Sequence, residues 1–344
     1  MKLLKVVFLL SLILIVTGGC VKSNGLPGTP SRETSPTLPA GTVSPTAISI
    51  RLISSATPLS TLTPTPTLTL APTYTSTPST TPTVIPTLPV EAARIRLLDL
   101  LANNGNCSLP CLWGITPGES TFQDARIILE PLSSISDFTD FSPGPGAIDP
   151  IYTIGDLMIY TTIRFITYPA TEIVSYIIFE ARALKEMIGE SGVEDVFDSR
   201  VFGERLSLYM LPRILSQYGR PSSVLLSTLA EFPDSRYGQG HFQILLLYPD
   251  QGILVHYTTE MSVVGANVIG CPSNAHIELE LYPSGNGESF LDNLEPSWQN
   301  EIQNNYKPLE EVTSMSTDDF YQLYRQPTNE CLVTPSNLWP VPER

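Results

Sequence analysis

The sequence predicts an α+β domain: two related helix-then-antiparallel-sheet sub-units after a disordered Thr/Pro-rich stalk. Three observations carry this. Residues 23–90 are dominated by Thr, Pro and Ser; the chain from 91 onward opens on apolar stripes at helical spacing; and each helical stretch is followed by runs rich in Ile, Val, Tyr and Thr. The order of helix then strands occurs over 91–190 and again over 203–262, which defines the two sub-units of a folded domain spanning 91–344. An irregular tail over 263–344 completes it.

The N-terminus has the architecture of an export signal. Lys2 and Lys5 form a positive region, residues 6–16 are apolar apart from Ser11, and Gly18 and Gly19 precede Cys20. A bilayer crossing needs about 20 apolar residues, so this run is too short to span one. The segment Thr17-Gly18-Gly19-Cys20 resembles a lipobox, the signal at which lipoprotein signal peptidase cuts before a diacylglycerol-modified cysteine, although Thr17 stands where a larger aliphatic is usual. The resemblance implies a signal peptide over 1–19, a lipid on Cys20, and an extracytoplasmic protein anchored to the cell membrane by at least two acyl chains.

Residues 20–90 then form the tether. Thirteen prolines lie between Pro27 and Pro89, and Arg32, Glu33 and Arg51 are the only charges from Ser23 to Val90. Repeats such as Thr63-Pro64-Thr65-Pro66-Thr67 lack both a core and the backbone donors for helix or sheet, which predicts an extended, semi-rigid stalk. At about 3.1 Å per residue its reach is at most on the order of 200 Å. Its hydroxyls are candidate sites of O-glycosylation.

Charge separates the two parts. Residues 1–90 hold five of the 19 basic residues and one of the 34 acidic ones, so 91–344 carries 14 positive against 33 negative charges, a net of −19. Nucleic acid binding needs a basic stripe that displaces counterions from phosphates, so it is not expected here.

In the folded part, Ala93, Leu97, Leu98 and Leu101 make a helical stripe over 91–104 that Gly105 stops. A second helix follows Pro117-Gly118, with Ser120 and Gln123 as a capping box and Phe122, Ala125, Leu129 and Leu132 on one face. A loop over 141–150 leads to strands at 151–155, 157–166 and 173–181. Leu208, Leu211, Leu215 and Tyr218 form a third stripe, stopped at Gly219-Arg220-Pro221, and strands follow at 224–229, 241–248 and 252–259. Pro249-Asp250-Gln251-Gly252 joins the last two as a hairpin, pairing His256 near Leu245. Short helices are expected at 289–294 and 317–324, and coil over 331–344.

Gly114-Ile115-Thr116-Pro117-Gly118 before a capped helix, and the later order of helix, Tyr218-Gly219-Arg220-Pro221 and strand, resemble the two-helix-plus-sheet lipoprotein domains of the barrel-assembly machinery and the tandem-repeat β-lactamase inhibitor protein. The segment from Cys107 to Gly118, with Cys111 and Trp113, is similar to a pattern in uncharacterised Thr/Pro-tethered bacterial lipoproteins. The first resemblance implies protein binding or envelope scaffolding without catalysis. Neither carries site residues over.

Four cysteines remain beyond Cys20: Cys107, Cys111, Cys271 and Cys331. An even number in an exported domain argues for two disulfides; of the three pairings, Cys107–Cys111 and Cys271–Cys331 are favoured. Cys107 and Cys111 are spaced by three residues, unlike the two of a thioredoxin-type redox motif. His241, His256 and His276 lack metal-ligand spacing and read as strand residues, Glu194-Asp195 and Asp318-Asp319 lack the pattern of a calcium loop, and no metal or cofactor is expected.

Gly-x-Ser-x-Gly, Ser-x-x-Lys and His-Glu-x-x-His are all absent from the sequence. Trp113, Trp298 and Trp339 are the candidate binding residues, with Tyr282, Tyr306, Tyr321 and Tyr324 as further aromatics for a ligand or glycan surface; Trp298 and Trp339, in irregular segments, are the better surface candidates. The expectation is a non-catalytic binding or scaffolding domain that engages an envelope protein or a wall polymer. The alternative is a small extracellular hydrolase acting on wall or carbohydrate substrate, recognisable by a cleft with two carboxyl groups roughly 5–10 Å apart.

Overall fold

The computed structural model describes residues 84–339, apart from 143, 155, 169, 187–192, 198–199, 230–239, 286 and 288–289. The expected signal peptide 1–19, the lipidation site Cys20 and the tether up to residue 83 lie outside the described residues. The fold is α+β, built on a large antiparallel sheet. The chain is tied to the domain by Leu88, whose N–H donates to the Pro131 carbonyl at 3.0 Å.

Helix α1 (Val90–Asn103) buries Ala93, Leu97, Leu100 and Leu101. It ends because Asn104 and Gly105 both turn left-handed, at φ 52° and 63°. A Cβ on Gly105 would lie 2.7 Å from the Trp113 carbonyl carbon, so this position tolerates only glycine. Helix α2 (Phe122–Leu129) buries Ala125 and Leu129. Its capping box is Thr121 with Asp124, one residue beyond the expected Ser120 and Gln123. Ser120 is already committed, accepting from the Thr116 N–H at 2.9 Å to hold the preceding turn.

The expected loop over 141–150 is largely strand. β1 (Ser136–Phe141) pairs with β2 (Pro145–Ile154), followed by β3 (Leu157–Thr167) and β4 (Val174–Glu186), each antiparallel to the last. β5 (Val193–Asp195) adds a short edge to β4. Helices α3 (Arg200–Arg205) and α4 (Leu211–Tyr218) precede β6 (Ser223–Leu229), β7 (His241–Tyr248) and β8 (Ile253–Val264). The β7–β8 hairpin turns at Gly252, φ 69°, and pairs His256 with Leu245.

The described residues of the tail expected to be irregular lie largely in regular elements. They supply β9 (Asn267–Gly270), β10 (His276–Leu281), helix α5 (Pro296–Asn305), β11 (Lys307–Pro308), helices α6 (Leu309–Val312) and α7 (Thr317–Tyr324), and β12 (Leu332–Pro335). The strand order is β1-β2-β3-β4-β10-β8-β7-β6-β11, with β9 and β12 forming an arm beyond the outer half of β8. Strand β10 therefore lies at the centre, between the two expected sub-units, and both contribute to one continuous sheet. Residues 331–344, expected as coil, begin with β12.

Strand alternation divides the sheet into two faces. Ile177 and Phe179 of β4, Ile277 and Leu279 of β10, and Val255 and Tyr257 of β8 face the main core, which α1, α2, α4 and α7 cover. Each buried aliphatic or aromatic side chain there contributes about 2 kcal/mol. A smaller core on the opposite face gathers Leu245, Leu247, Leu254, Tyr282, Phe290, Leu294, Trp298 and Tyr306 beneath α5.

Both favoured disulfides are present: Cys107–Cys111, with Cα atoms 5.9 Å apart, and Cys271–Cys331, at 4.2 Å. The second fastens the start of β12 to the end of β9.

Candidate functional site

On the face away from the main core, register places polar side chains in rows across the centre of the sheet. Thr162 of β3 lies opposite Glu180 of β4, Glu180 opposite Glu278 of β10, and Glu278 opposite His256 of β8. One row along, Arg164, Ile178 and Glu280 follow one another. Two glutamates directly across an antiparallel ladder repel. Here each has a partner of its own: Glu180 pairs with Arg182, two residues along β4, at 2.9 Å, and Glu278 Oε2 lies 3.0 Å from His256 Nδ1 across the ladder.

His256 continues the chain. Its Nε2 is 3.1 Å from the Tyr306 hydroxyl, which donates to Gln243 Oε1 at 3.2 Å. Trp298 meets the imidazole edge-on, with ring centroids 5.1 Å apart. Burial pushes the Tyr306 phenol well above its ordinary range, so it stays protonated as a donor.

Glu280 is the unusual member. Its side chain is fully buried, and Tyr282 donates to its Oε2 at 2.5 Å while Oε1 has no hydrogen-bond partner. Burial raises its pKa to about 8; the hydrogen bond from Tyr282 opposes the rise, and the charges of Glu278 and Glu295 push it further up. At neutral pH it is therefore mostly a neutral acid beside carboxylates. Glu180 is also raised, chiefly by burial, with Arg182 opposing and Glu278 reinforcing the shift.

Helix α5 closes one side. Pro296 in its first turn supplies a preset φ without an amide to satisfy, and its register turns Trp298 down toward the sheet. Between this helix and the strands lies a cleft of about 330 Å³ whose lining includes Arg164, Glu180, His256, Glu278, Glu280 and Trp298. Glu295, Ser297 and Glu301 form its rim on the α5 side. Five glutamates thus surround a cavity with a single arginine in its lining.

The three candidate tryptophans do not come together. Trp298 lines the cleft. Trp113 is buried in the main core at φ 57°, its indole donating to the Tyr209 hydroxyl at 3.2 Å. Trp339 is also buried, donating to Thr334 Oγ1 at 3.2 Å, rather than standing on the surface. Tyr282 and Tyr306 belong to the cleft side, whereas Tyr324 belongs to the main core and Tyr321 packs against it. All three histidines lie on strands, and only His256 reaches the cleft. Glu180, Glu278 and Glu280 carry the site's chemistry and were not singled out by sequence motifs.

Among the described residues no group of three or more His, Cys, Asp or Glu side chains is arranged to hold a metal ion. Nor, among them, is any helix long and apolar enough to cross a membrane. No family model, curated protein or solved structure matches the chain. The site's own arrangement is what bears on function: an acidic cavity with an aromatic wall and one neutral carboxylic acid in its floor.

Proposed function

We propose that this protein is a membrane-anchored lipoprotein, attached through lipid on Cys20, whose α+β domain binds a small polar ligand in the cleft between α5 and the sheet. The Thr/Pro/Ser tether presents that domain away from the membrane, where it meets an envelope protein or a wall polymer. The observation that carries the reading is Glu280 Oε1, a buried polar atom without a partner in a cleft that already has an aromatic wall. Buried polar atoms are almost always paired, and an unpaired one costs about 1–3 kcal/mol that a ligand group would recover.

The test is a thermal-shift screen of the intact chain against small saccharides, peptides and amines of wall origin. The reading expects at least one compound to raise the Tm saturably in the wild type and to lose that effect in Trp298→Ala. A panel that leaves both proteins unmoved would overturn it.

The hydrolase reading keeps one specific support. Glu278 and Glu280 stand two residues apart on one face of β10, about 7 Å along the strand, and Glu280 is held as a neutral acid. Hydrolysis of wall polysaccharide that is lost in both Glu280→Gln and Glu278→Gln is the result this second reading requires.

A further inference from the structure

We propose that the ligand of this cleft carries a protonated amine, held between the carboxyl groups of Glu278 and Glu280 with the Trp298 indole as its wall. The inference rests on the binding reading above and gives the ligand its chemical class.

Charge is the first argument. The lining holds five glutamates, of which Glu280 is neutral in the empty cleft, against one arginine, and Arg182 of β4 is paired with Glu180 at 2.9 Å. An anion would meet this field at close range, whereas a cation gains from it, and the net −19 of residues 91–344 draws cations toward the domain from farther away. Geometry is the second argument. Glu278 and Glu280 present their carboxyls from the same face of one strand, and an ammonium takes the place of the proton that Glu280 holds in the empty cleft, leaving Oε1, which has no partner in the protein, as its acceptor. An ammonium supplies three donors on a compact centre, which suits two carboxyls a strand repeat apart. Trp298 adds an aromatic surface of the kind that attracts cations. Size is the third. A cleft of about 330 Å³ is at the small end of ligand pockets, enough for one amino sugar or a short diamine.

Isothermal titration of the full-length chain in detergent with glucosamine, putrescine and N-acetylglucosamine tests the inference. The expected result is saturable one-to-one binding of at least one of the two amines, with no saturable binding of N-acetylglucosamine. The tighter of the two amines identifies an amino-sugar or a polyamine source. Glu278→Gln and Glu280→Gln, which keep side-chain size, each weaken amine binding by about tenfold or more. Equal binding of N-acetylglucosamine would overturn the ammonium while leaving the cleft as a binding site. Amine binding that neither variant weakens would be adsorption to the acidic surface, and would also overturn it. No binding of any of the three, alongside a thermal shift by another compound that depends on Trp298, removes this inference alone; no binding in either experiment removes both.

Discussion

His256 Nδ1 lies 3.0 Å from Glu278 Oε2, directly across the β8–β10 ladder. The contact joins a strand of the predicted β7–β8 hairpin to a strand from the tail, and it begins a hydrogen-bonded chain that runs through Tyr306 to Gln243. Tyr306→Phe removes the phenol that links the last two members in a buried site. It should cost about 1–3 kcal/mol in urea unfolding, because Gln243 then loses a partner and His256 Nε2 keeps only the distant Thr258 hydroxyl at 3.5 Å. A change below about 0.5 kcal/mol would mean the chain does not contribute to holding α5 on the sheet.

Glu280 makes stability depend on pH. Its pKa of about 8 in the fold stands above the ordinary 4.5, so the folded state binds its proton more tightly than the unfolded state does. That contribution is complete below about pH 4.5 and is lost as pH rises through 8, with a slope of up to about 1.4 kcal/mol per unit. Glu280→Gln mimics the protonated form. It should match wild type near pH 5 and exceed it at pH 8 by on the order of 3 kcal/mol in parallel denaturation curves. Parallel pH profiles for the two proteins would show that Glu280 ionises normally.

Asn104 satisfies four groups at once. Its Nδ2 donates to the carbonyls of Cys107 and Cys111, both at 2.9 Å, and its Oδ1 accepts from the Trp113 N–H and the Tyr209 hydroxyl, both at 3.1 Å. Asn104→Ala should destabilise by about 2–4 kcal/mol, and Asn104→Asp should not rescue it, since a carboxylate cannot donate to those two carbonyls. Full rescue by aspartate would contradict this role.

The two disulfides should contribute unequally. Cys271–Cys331 closes a sequence separation of 60 and Cys107–Cys111 one of 4. In the chain-entropy account these correspond to about 4 and 2 kcal/mol. Paired alanine variants of each, compared by guanidinium unfolding, should show the larger loss for the Cys271/Cys331 pair. The reverse order would place the first bridge's role in holding the Asn104 loop rather than in loop closure.

The α+β class, the β7–β8 hairpin with its His256–Leu245 register, helix α7 and both disulfides were legible because each has a local signal. These signals are apolar periodicity, a glycine at a left-handed turn, a capped first turn, and an even cysteine count. Of strand β10 only His276 was read as a strand residue, and its glutamates were missed, and with them the candidate site. The stretch His276-Ile277-Glu278-Leu279-Glu280-Leu281 alternates as a strand does, but two glutamates on its polar face look like an exposed edge. Only the long-range pairing with β4 and β8 puts that face under α5 and makes the glutamates a floor.

Trp298 shows the same limit from the other side. Glu295-Pro296-Ser297-Trp298 reads locally as irregular chain, and the helix that follows has little apolar content of its own. It is held by the contact of Trp298 and Tyr306 with the sheet rather than by propensity. Trp298 and Trp339, picked as surface candidates from their local sequence, therefore both proved buried, Trp298 against the cleft and Trp339 away from it.

Hydrogen–deuterium exchange of the full-length chain, with and without each member of the saccharide, peptide and amine panel, tests most directly whether this cleft is where the protein meets its ligand. Slowed exchange confined to residues 276–281 of β10 and 296–305 of α5 is expected for any compound that raises the Tm. Protection that falls instead on the α1–α2 side, with those two segments unchanged, would contradict it.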